Sequence, residues 1–244
     1  MKKLDRKDFL KSLGLAGVTA IAAPILIHCR TDDENEVSDN SVIDNSISTS
    51  CSVTNSETEG PFPTKSPSSL VQSNIIGDRT GVALSVEITV QNVNTSCTAL
   101  SGVLVDIWHC DREGNYSEYG GTGMQTTNYT SAHFLRGRQT TDANGKVNFT
   151  TVFPGWYSGR ATHIHVHIYT ASGQSLLVTQ IAFPEGSDSA VNLVAASAGY
   201  KGMTGYTYNS NDNVFSDGTA NEMSSISGSV SSGYALKHTI KVSA

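Results

Sequence analysis

The stretch Tyr157-Ser158-Gly159-Arg160-Ala161-Thr162-His163-Ile164-His165-Val166-His167-Ile168 decides the fold. From His163 onward polar and apolar residues alternate strictly. A period of two belongs to a β-strand, with Ile164, Val166 and Ile168 on one face and three imidazoles on the other. The same alternation recurs in Val86, Ile88 and Val90, in Val103, Val105 and Ile107, in Val147, Phe149, Thr151 and Phe153, and in Tyr234, Leu236, His238, Ile240 and Val242. Asp111-Arg112-Glu113-Gly114-Asn115 and Asp142-Ala143-Asn144-Gly145 read as turns between such runs. No long stretch shows the 3.6 period of an amphipathic helix. The pattern predicts an all-β fold with long loops and little helix, an antiparallel sandwich or barrel. Residues 195–233 are rich in Gly, Ser and Asn and read as one long loop with little regular structure, of a length often tied to function.

The 244 residues carry 16 Lys plus Arg against 22 Asp plus Glu, a formal charge of −6. No basic surplus exists to neutralise a phosphate backbone, which argues against nucleic acid as a partner. Four Cys in this length exclude a disulfide-dense miniprotein.

The first residues carry Lys2, Lys3, Arg6, Lys7 and Lys11, followed by an apolar run from Leu13 to Ile27. That run is short for a membrane span, which needs about 20 residues. Residues 1–29 therefore read as an export signal of lipoprotein type, with Cys29 as the lipid attachment point. Arg6-Lys7 stands where a twin-arginine signal has two Arg, and leaves the export route open. His28 stands where a small residue is usual before a lipidated Cys, and a soluble secreted chain cut near Ala22-Ala23 is the competing reading. Both place the domain outside the cytoplasm, in the cell envelope or secreted, touching membrane only through Cys29. Residues 30–50 are rich in Ser, Asn, Asp and Glu and read as a disordered polar tether. Residues 51–244 form the folded domain.

His163 and His165 lie two apart on one strand, so both rings leave the same face and can reach one metal. His167 shares that face, which keeps a three-His zinc site and a zinc-dependent hydrolase open. Tyr116 and Tyr157, each following a turn, read on their own as packing residues with outward hydroxyls. A non-catalytic surface-binding sandwich is the third reading.

Taken together, Gly102-Val103-Leu104-Val105-Asp106-Ile107-Trp108-His109-Cys110-Asp111, Gly114-Asn115-Tyr116-Ser117, Leu135-Arg136-Gly137-Arg138-Gln139-Thr140-Thr141-Asp142, Pro154-Gly155-Trp156-Tyr157 and Arg160-Ala161-Thr162-His163-Ile164-His165 closely resemble the intradiol ring-cleavage dioxygenases. Thr58-Glu59-Gly60-Pro61-Phe62 and Asn211-Asp212-Asn213-Val214-Phe215 add to the likeness, which spans about Cys51 to Ala244. The resemblance implies a β-sandwich holding non-haem Fe(III) through Tyr116, Tyr157, His163 and His165. It implies that Arg160 supplies a fixed positive charge and that Gln180 lies beside the iron. The implied substrates are a small aromatic diol and O₂, and the implied product is a cis,cis-muconate-type diacid. Tyr157 would leave the metal and take a proton from the diol. Phenolates are hard donors and favour the ferric state, in keeping with that ligand set. The helical dimerisation segment of catechol dioxygenases has no counterpart here, so the chain looks like the exported single-domain branch, with its oligomeric state open. Trp108 and Trp156 are candidate cavity walls, and Pro61 and Phe62 candidate mouth residues. Cys51 and Cys97 precede the two main family blocks, and their pairing is favoured over Cys97–Cys110, which would leave Cys110 as a buried thiol. Sequence alone does not fix the connectivity.

Overall fold

The computed structural model describes residues 51–244; the export signal, the lipid site at Cys29 and the tether over 30–50 lie outside the described residues. Leu84, Val86, Ile88 and Val90 put one apolar face on β1 (Ala83–Asn92). Tyr234, Leu236, Ile240 and Val242 do the same for β9 (Gly233–Val242), and Val147 and Phe149 for β5 (Lys146–Val152). β1 and β9 lie side by side; β8 (Ser225–Ser229) pairs the outer edge of β9, and β5 and the short β2 (Thr98–Ala99) share the free edge of β1. The second sheet runs β4-β3-β6-β7, with β3 at Leu104–Trp108, β4 at Arg136–Thr140, β6 at His163–Tyr169 and β7 at Ser175–Ala182. The apolar faces of the two sheets meet in one core that includes Val86, Ile88, Phe149, Ile107, Ile164, Val166 and Ile181. Each such side chain, sealed from water, contributes about 1.5–3 kcal/mol.

The β-sandwich with little helix is borne out, and two details differ from expectation. The sandwich is not antiparallel throughout: β1 and β9 run parallel over Leu84–Asn92 and Tyr234–Val242. The two strands stand at opposite ends of the domain sequence, so no short hairpin dictates their sense. The segment 195–233 is not loop alone. It follows a one-and-a-half-turn helix, α1 (Ala190–Ala195), and contains a 3₁₀ turn at Asn209–Asn211 as well as β8. The strand Ser225-Ile226-Ser227-Gly228-Ser229 has a single large apolar side chain, so no alternation announced it. Among the described residues no helix is long and apolar enough to cross a membrane.

One feature of the second sheet positions the site. Of the seven residues of β6, His163 to Ile168 are all buried, although the alternation would leave the histidine face to water. Loops from 51–80 and 109–135 lie over that face. Cys51 is joined to Cys97, with Cα atoms 5.8 Å apart, and Thr54 donates its backbone N–H to the Lys241 carbonyl, so the start of the domain is anchored to the first sheet. Cys110 stays a buried free thiol, which burial pushes up to about 12.

The disulfide closes a long segment whose ends are 46 positions apart. Chain entropy assigns such a link about 4 kcal/mol. Replacing Cys51 and Cys97 together by Ser lowers the unfolding free energy by about that amount in urea titration.

Candidate active site

Strand register builds the polar face residue by residue. Trp108 stands opposite both Arg136 and His165, and His165 stands opposite Gln180. Directly paired residues point to the same side of a sheet. Arg136, Trp108, His165 and Gln180 therefore form one row across four strands, with His163 one pleat away. The indole of Trp108 lies flat on the imidazole of His165, centroids 4.8 Å apart and planes 1° apart. Gly60 closes on the same ring: a Cβ there would stand 3.2 Å from His165 Cε1, and its φ of +66° disfavours any larger residue.

Tyr116 is carried over this row by a loop with its own fastenings. Asp111 Oδ1 accepts from the N–H groups of Glu113 and Asn115 and closes the turn read in the sequence. Gln125 then clamps the tyrosine backbone, accepting from Tyr116 N at 2.7 Å and donating to its carbonyl at 2.8 Å. Arg136, buried, donates to Ser117, to the Phe62 carbonyl and to Thr64, and so ties both covering loops to the sheet. Phe62 stacks on the Tyr116 ring at 5.0 Å.

The result is a convergence of three donor atoms. Tyr116 Oη is 3.1 Å from His163 Nε2, which is 3.1 Å from His165 Nε2. The Ala161 carbonyl lies 2.6 Å from His163 Nδ1. It can only accept, so Nδ1 carries the proton and the Nε2 lone pair faces the cluster. Burial, with Arg160 nearby, lowers His163 to about 3 and holds His165 well below its usual value; burial raises Tyr116 well above the usual phenol range. Both imidazoles are thus neutral at physiological pH, as metal ligands must be. Donors held at about 2.0–2.1 Å from one ion sit about 3 Å apart. The spacing and the inward lone pair fit a metal ion, and a phenol among the donors suits a hard, ferric one.

Tyr157 stands at the rim. Its ring meets Phe62 and Tyr116 edge-on, with centroids 5.4 and 6.1 Å away, and its hydroxyl donates to the Met124 carbonyl at 2.8 Å. The structure thus brings Tyr116, His163 and His165 together and holds the Tyr157 oxygen on an exposed loop. Arg160 Nε donates to both oxygens of buried Asp212 at 2.9 Å, and Nη2 donates to Gln180 Oε1 at 2.6 Å. Gln180 in turn donates to the Thr58 carbonyl. Pro61 is exposed, whereas Phe62 is buried under Tyr116. Trp156 lies apart, under Lys201 and against Tyr206.

The three-His zinc reading fails on geometry. His167 Nδ1 is 2.8 Å from Glu59 and from Tyr169 Oη, and its Nε2 is 2.8 Å from Ser175. Both nitrogens are occupied away from the converging pair. The sequence reading missed the roles of Asp212, Gln125 and Met124. Asp212 sat in a quoted segment without a role, and nothing in the polar loop around Gln125 marked it.

A β-sandwich with a phenol and two imidazoles meeting above one sheet defines a metal-binding type of site. The chain belongs to the intradiol ring-cleavage dioxygenases: the family described as Dioxygenase matches residues 59–223. It is 29% identical to chlorocatechol 1,2-dioxygenase of Rhodococcus opacus over 157 residues, covering 53% of this chain and 56% of that enzyme. The match thus spans little more than half the length of that relative. The intradiol ring-cleavage dioxygenase from Tetranychus urticae has a TM-score of 0.69 at 29% identity, covering 79% of this chain and 95% of that one. The dioxygenase domain of a fusion with a carbohydrate-binding protein from Streptomyces sp. SirexAA-E shares the fold, with a TM-score of 0.58 at 24% identity over 79% of this chain and 99% of that one.

Two outcomes follow from the electrostatics. Raised in its buried place, Tyr116 is a phenol at neutral pH, so metal must displace its proton. The histidines need no such exchange above their lowered range. Iron affinity therefore rises at least about tenfold per pH unit between about pH 5 and 8, and about a hundredfold where Tyr157 also binds as phenolate, measurable by competition with a chelator. Asp212→Ala leaves the Arg160 charge without its buried partner; urea unfolding then loses about 3–5 kcal/mol.

Proposed function

We propose that this chain cleaves a catechol-type aromatic diol between its two oxygenated carbons, using O₂ and a non-haem ferric ion, to a cis,cis-muconate-type diacid. The observation that carries the reading is the convergence of Tyr116 Oη, His163 Nε2 and His165 Nε2. These three residues would hold the ion, with Tyr157 as the fourth ligand in the resting enzyme. Bound there, ferric iron would chelate the diol and open its ring to attack by O₂.

The remaining steps belong to the chain. Asp212 and Gln180 fix the direction of the Arg160 guanidinium. Its charge stabilises the anionic ring and the negative charge that develops on it. Tyr157 moves a proton. The Met124 carbonyl accepts only from an O–H, so the observed hydrogen bond is one that only the protonated phenol can make. Partial burial raises Tyr157 above the usual phenol range, which favours retention of that proton. A Tyr157 phenolate leaving the centre can therefore take a diol proton and keep it at Oη on Met124. Trp108 and Gly60 hold the His165 ring in one plane and keep its geometry constant through the cycle. The Cys51–Cys97 disulfide supports an exported location, where such links persist.

The test is direct. Iron-loaded protein should be coloured by tyrosinate-to-iron charge transfer, shift its band on adding catechol, and consume one O₂ per diacid formed. Tyr157→Phe should keep the fold and lose about 10²–10⁴ in turnover, the usual worth of a positioned base. Tyr116→Phe should lose the colour and the iron. Normal turnover by Tyr157→Phe would remove the base role. Catechol binding by the iron-loaded protein with no O₂ uptake would favour a non-catalytic binding protein.

A further inference from the structure

Close to the Arg160–Gln180 pair lies a polar cluster that the proposed reaction does not use. Glu57, Asp217 and Glu222 each present a carboxylate oxygen within 4.8 Å of the other two. They come from two segments, Glu57 from the opening segment and Asp217 and Glu222 from the loop before β8. Glu57 lies where the opening segment crosses β7, its N–H donating to the Val178 carbonyl. Glu222 ends the loop that runs down to β8, with the Ala182 N–H donating to its backbone carbonyl. Asp217 lies on the outer side and accepts from Asn55.

Three like charges at this spacing repel, and one of them is fully buried. Glu222 is 0% exposed. Its Oε1 accepts from the Thr179 hydroxyl at 3.2 Å, while Oε2 is buried with no hydrogen-bond partner in the chain. A buried carboxylate oxygen left unpaired is costly, and the neighbouring carboxylates make it more so. Burial and the neighbouring Asp217 push Glu57 up to about 7, and burial with Glu57 pushes Glu222 up to about 8. Arg160 is the cation that acts on Glu57, but its guanidinium is already engaged by Asp212 and Gln180.

We propose that Glu57, Asp217 and Glu222 form a binding site for a hard divalent cation of the calcium type, separate from the Tyr116–His163–His165 centre. An all-oxygen donor set selects hard cations. Calcium holds its oxygens at about 2.3–2.6 Å, so donors on opposite sides of it stand about 4.6–5.2 Å apart. The carboxylates fall within that span as they stand. Magnesium demands a narrower octahedron, at about 2.0–2.1 Å, and gives up its waters reluctantly. The bound ion would supply the missing partner of Glu222 Oε2 and link the opening segment to the loop after Asp212. It would thereby stiffen two neighbours of the active site. Thr58, next to Glu57, receives the Gln180 amide, and Asp212, five residues before Asp217, holds Arg160.

The proposal stands apart from the diol reaction and is tested without it. Chelator-treated full chain is titrated with calcium chloride, and separately with magnesium chloride, at mildly alkaline pH and constant ionic strength. Thermal unfolding and titration calorimetry are the readouts. Calcium should bind once per chain and raise Tm by about 5–10 °C at a hundredfold excess over its Kd. Magnesium should act more weakly. Asp217→Asn, at an exposed position that the fold tolerates, should weaken calcium at least tenfold. Glu222→Gln should abolish the calcium response and, by removing a repelled charge, raise the Tm of the calcium-free protein. No saturable calcium heat or Tm shift up to millimolar concentration overturns the proposal, because the cluster then holds protons instead. So does an undiminished response in either variant, or an equal shift from sodium chloride at matched ionic strength.

Discussion

The site depends on a strand that is buried on both faces for different reasons. On one face of β6, Ile164, Val166 and Ile168 enter the core between the sheets. On the other, His163 and His165 are sealed by loops rather than by a sheet. An imidazole out of water gives up its charged form readily, and the direction of both shifts follows from that desolvation. The same burial that drives folding on one side thus leaves two neutral nitrogen donors on the other. A β-strand can do this because its side chains alternate.

The covering loops are held by polar groups rather than by apolar packing alone. Arg136 reaches three parts of the cover from the sheet, and Gln125 clamps Tyr116 by both its backbone groups. Asp212 does the same for Arg160, and also accepts the Ala161 N–H just before the histidine pair. Buried groups of this kind are expensive unless satisfied, and here each has its partners. They fix the directions of side chains that would otherwise turn freely, which is what a site needs from its surroundings.

Much of this was legible in the sequence because it rests on local rules. The alternation around Ile88, Ile107, Phe149 and Ile164 gives the strands, and the paired histidines of one strand face give the donors. The Asp111 turn was likewise visible in its own residues. What escaped depends on contacts between distant segments. The parallel pairing of β1 with β9 joins the two ends of the domain, and no local pattern encodes it. β8 was hidden because Ile226 is its only large apolar side chain. The clamp by Gln125 and the grip of Asp212 on Arg160 are hydrogen bonds across loops, and neither residue type is unusual in a loop. The outward place of the Tyr157 hydroxyl, on the Met124 carbonyl, is likewise a tertiary contact, and the family pattern alone would have aimed it inward.

The central claim is that three side chains from a strand and a covering loop hold one iron ion. Anomalous diffraction at the iron edge from crystals of the iron-loaded protein addresses it most directly. The account predicts a single strong peak about 2.0–2.2 Å from Tyr116 Oη, His163 Nε2 and His165 Nε2. A protein loaded with one equivalent of iron whose peak lies elsewhere, with those three atoms unligated, would contradict it.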